Sequence, residues 1–133
     1  MPKTRFLIFL ISLFFVFLFS PAQAHTTSLS VQEAQEMIQA HAGDPQFILL
    51  DVRAPELYEQ GHIPGARLIN YYATNFVRQV SQLNREATIL LYCHHGRQSP
   101  LALRAMKKLR FKELYILDGG FTAWAEAGLP VEP

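Results

Sequence analysis

Cysteine is almost missing from this chain. Its 133 residues include one, Cys93, which excludes an internal disulfide, a C-x-x-C redox pair and a cysteine-rich zinc site. An excess of charge of either sign is missing too: 12 lysines and arginines stand against 11 acidic residues, a formal net charge of +1. That balance argues against a nucleic-acid binder or a protein held to an anionic surface by charge. No G-x-G-x-x-G turn appears, and after residue 24 there is no internal repeat or low-complexity tract, which removes a dinucleotide fingerprint and a solenoid from consideration.

Long apolar runs are confined to the N-terminus. Lys3 and Arg5 precede the run Phe6 to Phe19, and Ser20-Pro21-Ala22-Gln23-Ala24 follows it. A basic start, an apolar stretch of about a dozen residues and an A-x-A site are the parts of a secretory signal peptide. Cleavage is expected after Ala24, leaving residues 25–133 as one domain, because the run is shorter than the roughly 20 residues of a spanning helix. A lipid-anchored precursor would need a cysteine directly after the run, and Cys93 lies far downstream. Loss of Lys3 and Arg5 leaves 10 basic residues against 11 acidic ones. On that count no basic patch survives, and neither nucleic acid nor a stable membrane association is expected. The expected destination is the periplasm and the expected state a monomer. In an oxidising compartment a lone thiol is a liability unless it has a use.

Half of the residues are hydrophobic, enough for the core of one ordinary domain. His25 to Ser28 reads as a loose leader. Ser30-Val31-Gln32-Glu33 has the S-x-x-E form of a capping box, and Val31, Ala34, Met37 and Ile38 continue at helical spacing until Gly43-Asp44-Pro45. Phe47 to Val52 is an apolar strand ending in Asp51 and Arg53, and Ala54 to Gly61 has the proline-first, glycine-last form of a short helix. His62 to Ala66 is a turn, Arg67 to Ile69 a brief strand, and Thr74 to Ser81 a helix. After the apolar run Ile89 to Tyr92, Ser99 as N-cap and Pro100 as first helical residue open a helix to Arg110. Leu101, Leu103, Ala105, Met106 and Leu109 are expected to face the sheet, and Lys107, Lys108 and Arg110 to suit the dipole. Glu113 to Leu117 is the last strand, Asp118-Gly119-Gly120 a turn, and Phe121 to Ala127 a closing helix with Trp124 on its apolar side. Strand and helix alternate and three strands are apolar throughout. This predicts an α/β fold, a central mostly parallel sheet with helices on both faces.

Cys93 ends one of those buried strands, directly before the polar loop His94-His95-Gly96-Arg97 and a helix start. In open α/β sheets ligands bind at such junctions, where backbone N–H groups and the helix dipole favour an anion, a thiolate included. Cys93 is therefore a candidate nucleophile. The competing reading is an inert buried thiol, since free cysteine is among the most buried residue types.

Three blocks together resemble the rhodanese family of sulfurtransferases. They are Leu50-Asp51-Val52-Arg53 leading to Glu59-Gln60-Gly61-His62-Ile63-Pro64-Gly65-Ala66, the loop Tyr92-Cys93-x-x-Gly96, and Leu117-Asp118-Gly119-Gly120-Phe121 with Trp124. With the export signal, the chain is similar to the single-domain periplasmic rhodaneses of the phage-shock type. The resemblance implies a rhodanese-like fold and a sulfur carrier: Cys93 takes sulfane sulfur from a small donor such as thiosulfate and passes it, as a persulfide, to a thiophilic acceptor such as cyanide or a thiol. No cofactor and no metal are implied. The loop residues His94, His95, Gly96, Arg97, Gln98 and Ser99 would bind substrate, the amides from His94 to Ser99 cradling the terminal sulfur and Gly96 turning the backbone inward. Asp51 and Arg53 would form a supporting pair, Phe121 and Trp124 would be core residues, and His62 a hydrogen-bonding turn residue.

The loop departs from the commoner form of the family, in which arginine follows the glycine by two positions; here Arg97 is its immediate neighbour. Arg97 either draws an anionic donor to the site or lies along the surface. The histidines either favour the thiolate and protonate a leaving group or merely line the loop; adjacent residues on a tight turn do not suit a shared metal. Rival readings are a non-catalytic sulfur- or anion-binding module, a thiol redox sensor, and a cysteine-dependent phosphatase. The phosphatase requires C-x5-R, and position 99 is Ser99.

Overall fold

Strands with apolar residues at every position need cover on both sides, and the chain folds to supply it. The structure is a computed structural model that describes residues 25–133; the signal-peptide reading of residues 1–24 falls outside the described residues. Five strands, β1 (His25–Leu29), β2 (Phe47–Asp51), β3 (Arg67–Leu68), β4 (Thr88–Tyr92) and β5 (Glu113–Leu117), form one parallel sheet in the order β1-β5-β4-β2-β3. Helices α1 (Val31–Ala40), α2 (Pro55–Gln60), α3 (Phe76–Ser81), α4 (Ser99–Lys108) and α5 (Gly120–Glu126) connect them. The expected α/β class is present, and every strand pairing is parallel. Among the described residues no helix is long and apolar enough to cross a membrane.

Period-two alternation sorts the strand side chains between two cores. Ile89, Leu91 and Cys93 meet Phe76 and Val80 of α3 and Ala102, Leu103 and Met106 of α4. Leu90 and Tyr92 turn the other way, against Ala34 of α1 and Trp124 of α5. Each such leucine or isoleucine, fully buried, contributes about 1.5–3 kcal/mol. The capping box at α1 forms as read: Glu33 donates its N–H to Ser30 Oγ at 3.3 Å, and the Ser30 N–H reaches the Glu33 carboxylate at 2.8 Å.

Three expectations are corrected. Residues 25–28 are not a loose leader but part of β1, which pairs with β5 from His25↔Glu113 to Leu29↔Leu117. An edge strand needs backbone partners more than apolar side chains, so its Thr/Ser composition hid it; Ser28 also hydrogen-bonds Asp118 beyond the end of β5. Ser99 is not the N-cap of α4. Gln98 occupies that position, and Ser99 lies inside the first turn, buried. The helix therefore buries Ser99, Ala102, Leu103 and Met106, at i, i+3, i+4 and i+7, and Leu101 faces outward with 45% exposure instead of facing the sheet.

The balanced net charge also conceals a segregation, so the expectation that no basic patch survives is overturned. Between residues 60 and 112 stand nine lysines and arginines and one acid, Glu86, whereas residues 25–59 carry six acids and one base, and 113–133 four acids and no base. In the fold this separates the helices: α1, α2 and α5 carry glutamates and no base, α3 and α4 carry bases and no acid.

Two further features close the molecule. Residues 129–133 are strapped down: His62 and Glu132 exchange backbone hydrogen bonds of 2.8 and 2.9 Å, and Trp124 Nε1 donates to the Pro130 carbonyl at 2.8 Å. At the other feature, the end of α4, Phe111 N–H bonds the Met106 carbonyl at 3.3 Å and Arg110 N–H the Lys107 carbonyl at 3.0 Å, a Schellman closure that folds Phe111 back into the core. Arg110 supplies the left-handed residue, φ +66°, where glycine is usual. Replacing exposed Arg110 with glycine relieves that strain, and the greater freedom of glycine in the unfolded chain offsets part of the relief. Arg110→Gly is expected to raise stability by about 0.5–1 kcal/mol, read as a higher urea midpoint at unchanged slope.

Candidate active site

Alternation along β4 fixes where Cys93 points. It is the first residue beyond the strand and belongs to the face covered by α4, so its sulfur sits under the loop that leads into that helix. Sγ accepts the Gly96 N–H at 3.1 Å, and the thiol donates to Ser99 Oγ at 3.4 Å. Ser99 is available for this because it lies within the helix rather than capping it. Gly96 adopts φ +83°, and a Cβ there would stand 3.3 Å from the Gly119 nitrogen. Cys93 is 1% exposed and part of the core, yet it also lines a cleft of about 300 Å³. Cys93 is thus both packed in the core and placed at the wall of a cleft.

The loop owes its shape to α5. Phe121 N–H donates to the Cys93 carbonyl at 2.8 Å and Thr122 N–H to the His94 carbonyl at 3.0 Å. These are amides of the first turn of α5, which have no partner within their own helix. The approach is so close that a Cβ on Gly120, which sits at φ +63°, would fall 2.4 Å from the Cys93 carbonyl oxygen and 2.8 Å from that of His94. The sequence presents Gly119-Gly120 as a turn and gives no sign that its backbone grips a loop 26 residues upstream. A glycine pair opening a helix is the signal available.

On the opposite side of the strand ends, Asp51 and Arg53 are 0% and 4% exposed. Arg53 Nη2 meets Asp51 Oδ2 at 2.7 Å, its Nε lies 3.0 Å from both carboxylate oxygens, and its main-chain N–H donates to Oδ1 at 2.9 Å. The guanidinium also donates to the Gly61 carbonyl at 2.7 Å and lies 4.1 Å from the Phe121 ring centroid. A buried charge pair of this completeness is costly to break from one side, about 3–5 kcal/mol. Its groups tie β2, the α2 end and α5 together beside the cleft. Burial and the Asp51 carboxylate push the Tyr92 phenol far above its ordinary range, so Tyr92 stays neutral; its oxygen accepts the Ile63 N–H at 3.1 Å.

The cleft gathers His94, His95, Arg97 and Gln98 beside Cys93, with Arg53, Ala54, Leu57 and Tyr72 as the facing wall. Leu57 and Tyr72 were not legible as site residues: one reads as a short-helix apolar position, the other falls in the stretch where the period is weakest. Arg97 is exposed at the rim. Neither imidazole hydrogen-bonds Sγ. His95 Nδ1 pairs with Thr122 Oγ1 at 3.0 Å, and His94 Nδ1 is buried without a hydrogen-bond partner among the described residues. Burial first, then His95 and Arg53, lower the His94 pKa from 6.5. His62, as expected, is a turn residue: it stacks on Tyr58 with centroids 3.7 Å apart and bonds the Tyr58 carbonyl through Nδ1 at 3.1 Å.

The family model for the rhodanese-like domain matches residues 30–127. The chain is 33% identical over 110 residues to a thiosulfate sulfurtransferase, GlpE, of Vibrio cholerae, covering 81% of this chain and 96% of that protein. Among solved structures, a rhodanese-related protein from Thermoplasma volcanium superimposes with a TM-score of 0.68 at 25% identity, over 80% of this chain and 97% of that one. A protein of unknown function from Rhodopseudomonas palustris, described as a possible tyrosine phosphatase, matches with a TM-score of 0.63 at 25% identity, over 80% and 85% of the two chains.

Two outcomes are expected. Gly120→Ala forces the α5 backbone away from the Cys93 carbonyl, so it should destabilise by about 2–4 kcal/mol and displace the loop, changing the rate at which Cys93 reacts with a thiol reagent. For His94, the folded pKa lies below the unfolded one, so the unfolded chain binds more protons as pH falls. The contribution of neutral His94 is complete above pH about 6.5 and is lost as pH drops through the folded value. Wild-type stability relative to that of His94→Gln, from urea melts, should therefore fall between pH of about 7.5 and about 5.

Proposed function

Because this chain belongs to the rhodanese-like domain family, we propose that it is a thiosulfate-type sulfurtransferase in which Cys93 carries the sulfur. The observation that carries the reading is the setting of Sγ: it follows a buried strand into the cleft, accepts the Gly96 N–H at 3.1 Å and, as the thiol, donates to Ser99 Oγ at 3.4 Å. A relative from Vibrio cholerae, 33% identical over 81% of this chain, is named for this activity.

The chemistry needs no side-chain base. The Cys93 thiolate attacks the outer sulfur of thiosulfate, a Cys–S–S⁻ persulfide forms, and sulfite leaves with the electron pair of the broken S–S bond. Cyanide or a thiolate then attacks the outer sulfur, and the Cys93 thiolate is released, a two-step covalent cycle. In the proposal the amides from His94 to Ser99 hold the persulfide anion, with Gly96 already aimed at the sulfur. His94, His95 and Gln98 shape the channel, Arg97 at the rim draws in the anionic donor, and Asp51 and Arg53 support the wall. An exported, periplasmic protein is part of the same proposal, supported by the basic, apolar and A-x-A pattern of residues 1–24.

The phosphatase reading, raised by the Rhodopseudomonas palustris relative, lacks its clamp. The residue at the arginine position is Ser99, buried against the thiol, and Arg97 is exposed at the rim. Residues 25–133 incubated with thiosulfate should gain the mass of one sulfur atom on Cys93, removable by cyanide as thiocyanate. No gain, or full thiocyanate production by Cys93→Ser, ends the proposal.

A further inference from the structure

Four large hydrophobic residues are exposed among the described residues: Tyr72, Val77, Leu101 and Val131. Three of them lie together. Tyr72 forms part of the wall of the Cys93 cleft, and Val77 and Leu101 line an adjoining groove of about 420 Å³ between α3 and α4, with Tyr71, Arg104 and Lys108. Tyr72 of the cleft and Tyr71 of the groove pack edge to face, with ring centroids 5.5 Å apart. Neither lining contains an acidic side chain. Arg78, Arg104, Lys107 and Lys108 form no ion pair among the described residues, and this is the face on which the helices carry bases alone.

A small inorganic donor or acceptor needs charge near the thiol but has no use for an apolar groove alongside it. Unpaired cations around exposed Val and Leu side chains are the complement of a protein surface with an apolar centre and an acidic rim. An anionic bilayer would satisfy the charge, yet it brings no thiol to a sulfur that is 1% exposed. We propose that the α3/α4 groove docks an acidic protein whose protruding thiol accepts the sulfur from Cys93. This rests on the sulfurtransferase reading and names its acceptor class. In the transfer, the partner thiolate attacks the outer sulfur of the Cys93 persulfide; the new S–S bond lies on the partner as its persulfide, and the Cys93 thiolate leaves with the electron pair. Charge and sulfur balance without an added oxidant or reductant.

The test uses two short synthetic peptides, each with one cysteine beside leucine and phenylalanine, flanked by glutamates in one and by lysines in the other. Protein loaded with sulfur should discharge to the glutamate peptide about tenfold or more faster than to the lysine peptide at low salt, with the ratio falling toward one at high salt. The double variant Arg104→Glu with Lys108→Glu should reverse or erase that preference, and Leu101→Asp should slow the glutamate peptide, while both discharge to cyanide at the wild-type rate. Equal rates for the two peptides, or a preference that survives the double variant, overturns the docking site. So does binding to phosphatidylglycerol vesicles, or salt-sensitive self-association lost in the double variant, when neither is accompanied by a preference for the glutamate peptide. Fluorescence anisotropy with serine-for-cysteine peptides reads docking on unloaded protein. A chain that takes up no sulfur therefore counts against the sulfurtransferase reading, and the anisotropy result still decides the groove.

Discussion

Two backbone hydrogen bonds hold the Cys93 loop, and much of the site depends on them. The amides of Phe121 and Thr122, left free at the start of α5, are spent on the carbonyls of Cys93 and His94. A trans peptide is planar, with its N–H opposed to its C=O. Fixing those two carbonyls toward α5 therefore turns the amides of His94 and His95 away from it, and the loop is set before any ligand arrives. Preset dipoles of this kind stabilise charge without reorganising during reaction. Gly120 is the condition for the arrangement, because the contact leaves no room for a side chain.

The Asp51–Arg53 pair supports the same region from the other core. Its value lies in connection: one guanidinium touches a carboxylate on β2, a carbonyl after α2 and an aromatic ring on α5. Since α5 also grips the loop, the two faces of the sheet meet at the strand ends through a single helix. The buried charges there are fully partnered, which is the state in which a buried pair is tolerated.

Much of this was legible in the sequence, and the rest was hidden for identifiable reasons. Apolar continuity marked β2, β4 and β5, because a strand covered on both faces cannot alternate with polar residues. The S-x-x-E box marked α1 because its two bonds are local. Cys93 was legible from its isolation and its place at a strand end. β1 was not, because its evidence is a register with a strand far away in sequence. Ser99 has the side chain of an N-cap but lies one residue inside the helix, and that shift decides both its contact with the thiol and the outward turn of Leu101. The basic face went unseen in a net charge near zero, although the acids and bases fall in separate blocks.

The strap formed by residues 129–133 ties its end of the chain to this machinery. Glu132 clasps His62 by two backbone bonds, and the neighbouring Gly61 lends its carbonyl to Arg53. Val131 packs so near Gly61 that a Cβ on that glycine would stand 2.8 Å from it. The final residues thus act as a latch on the wall of the cleft. An affinity tag or truncation placed there would be transmitted to Arg53 in two steps, so any fusion to this domain is better attached through a spacer that leaves Glu132 on its strand partner.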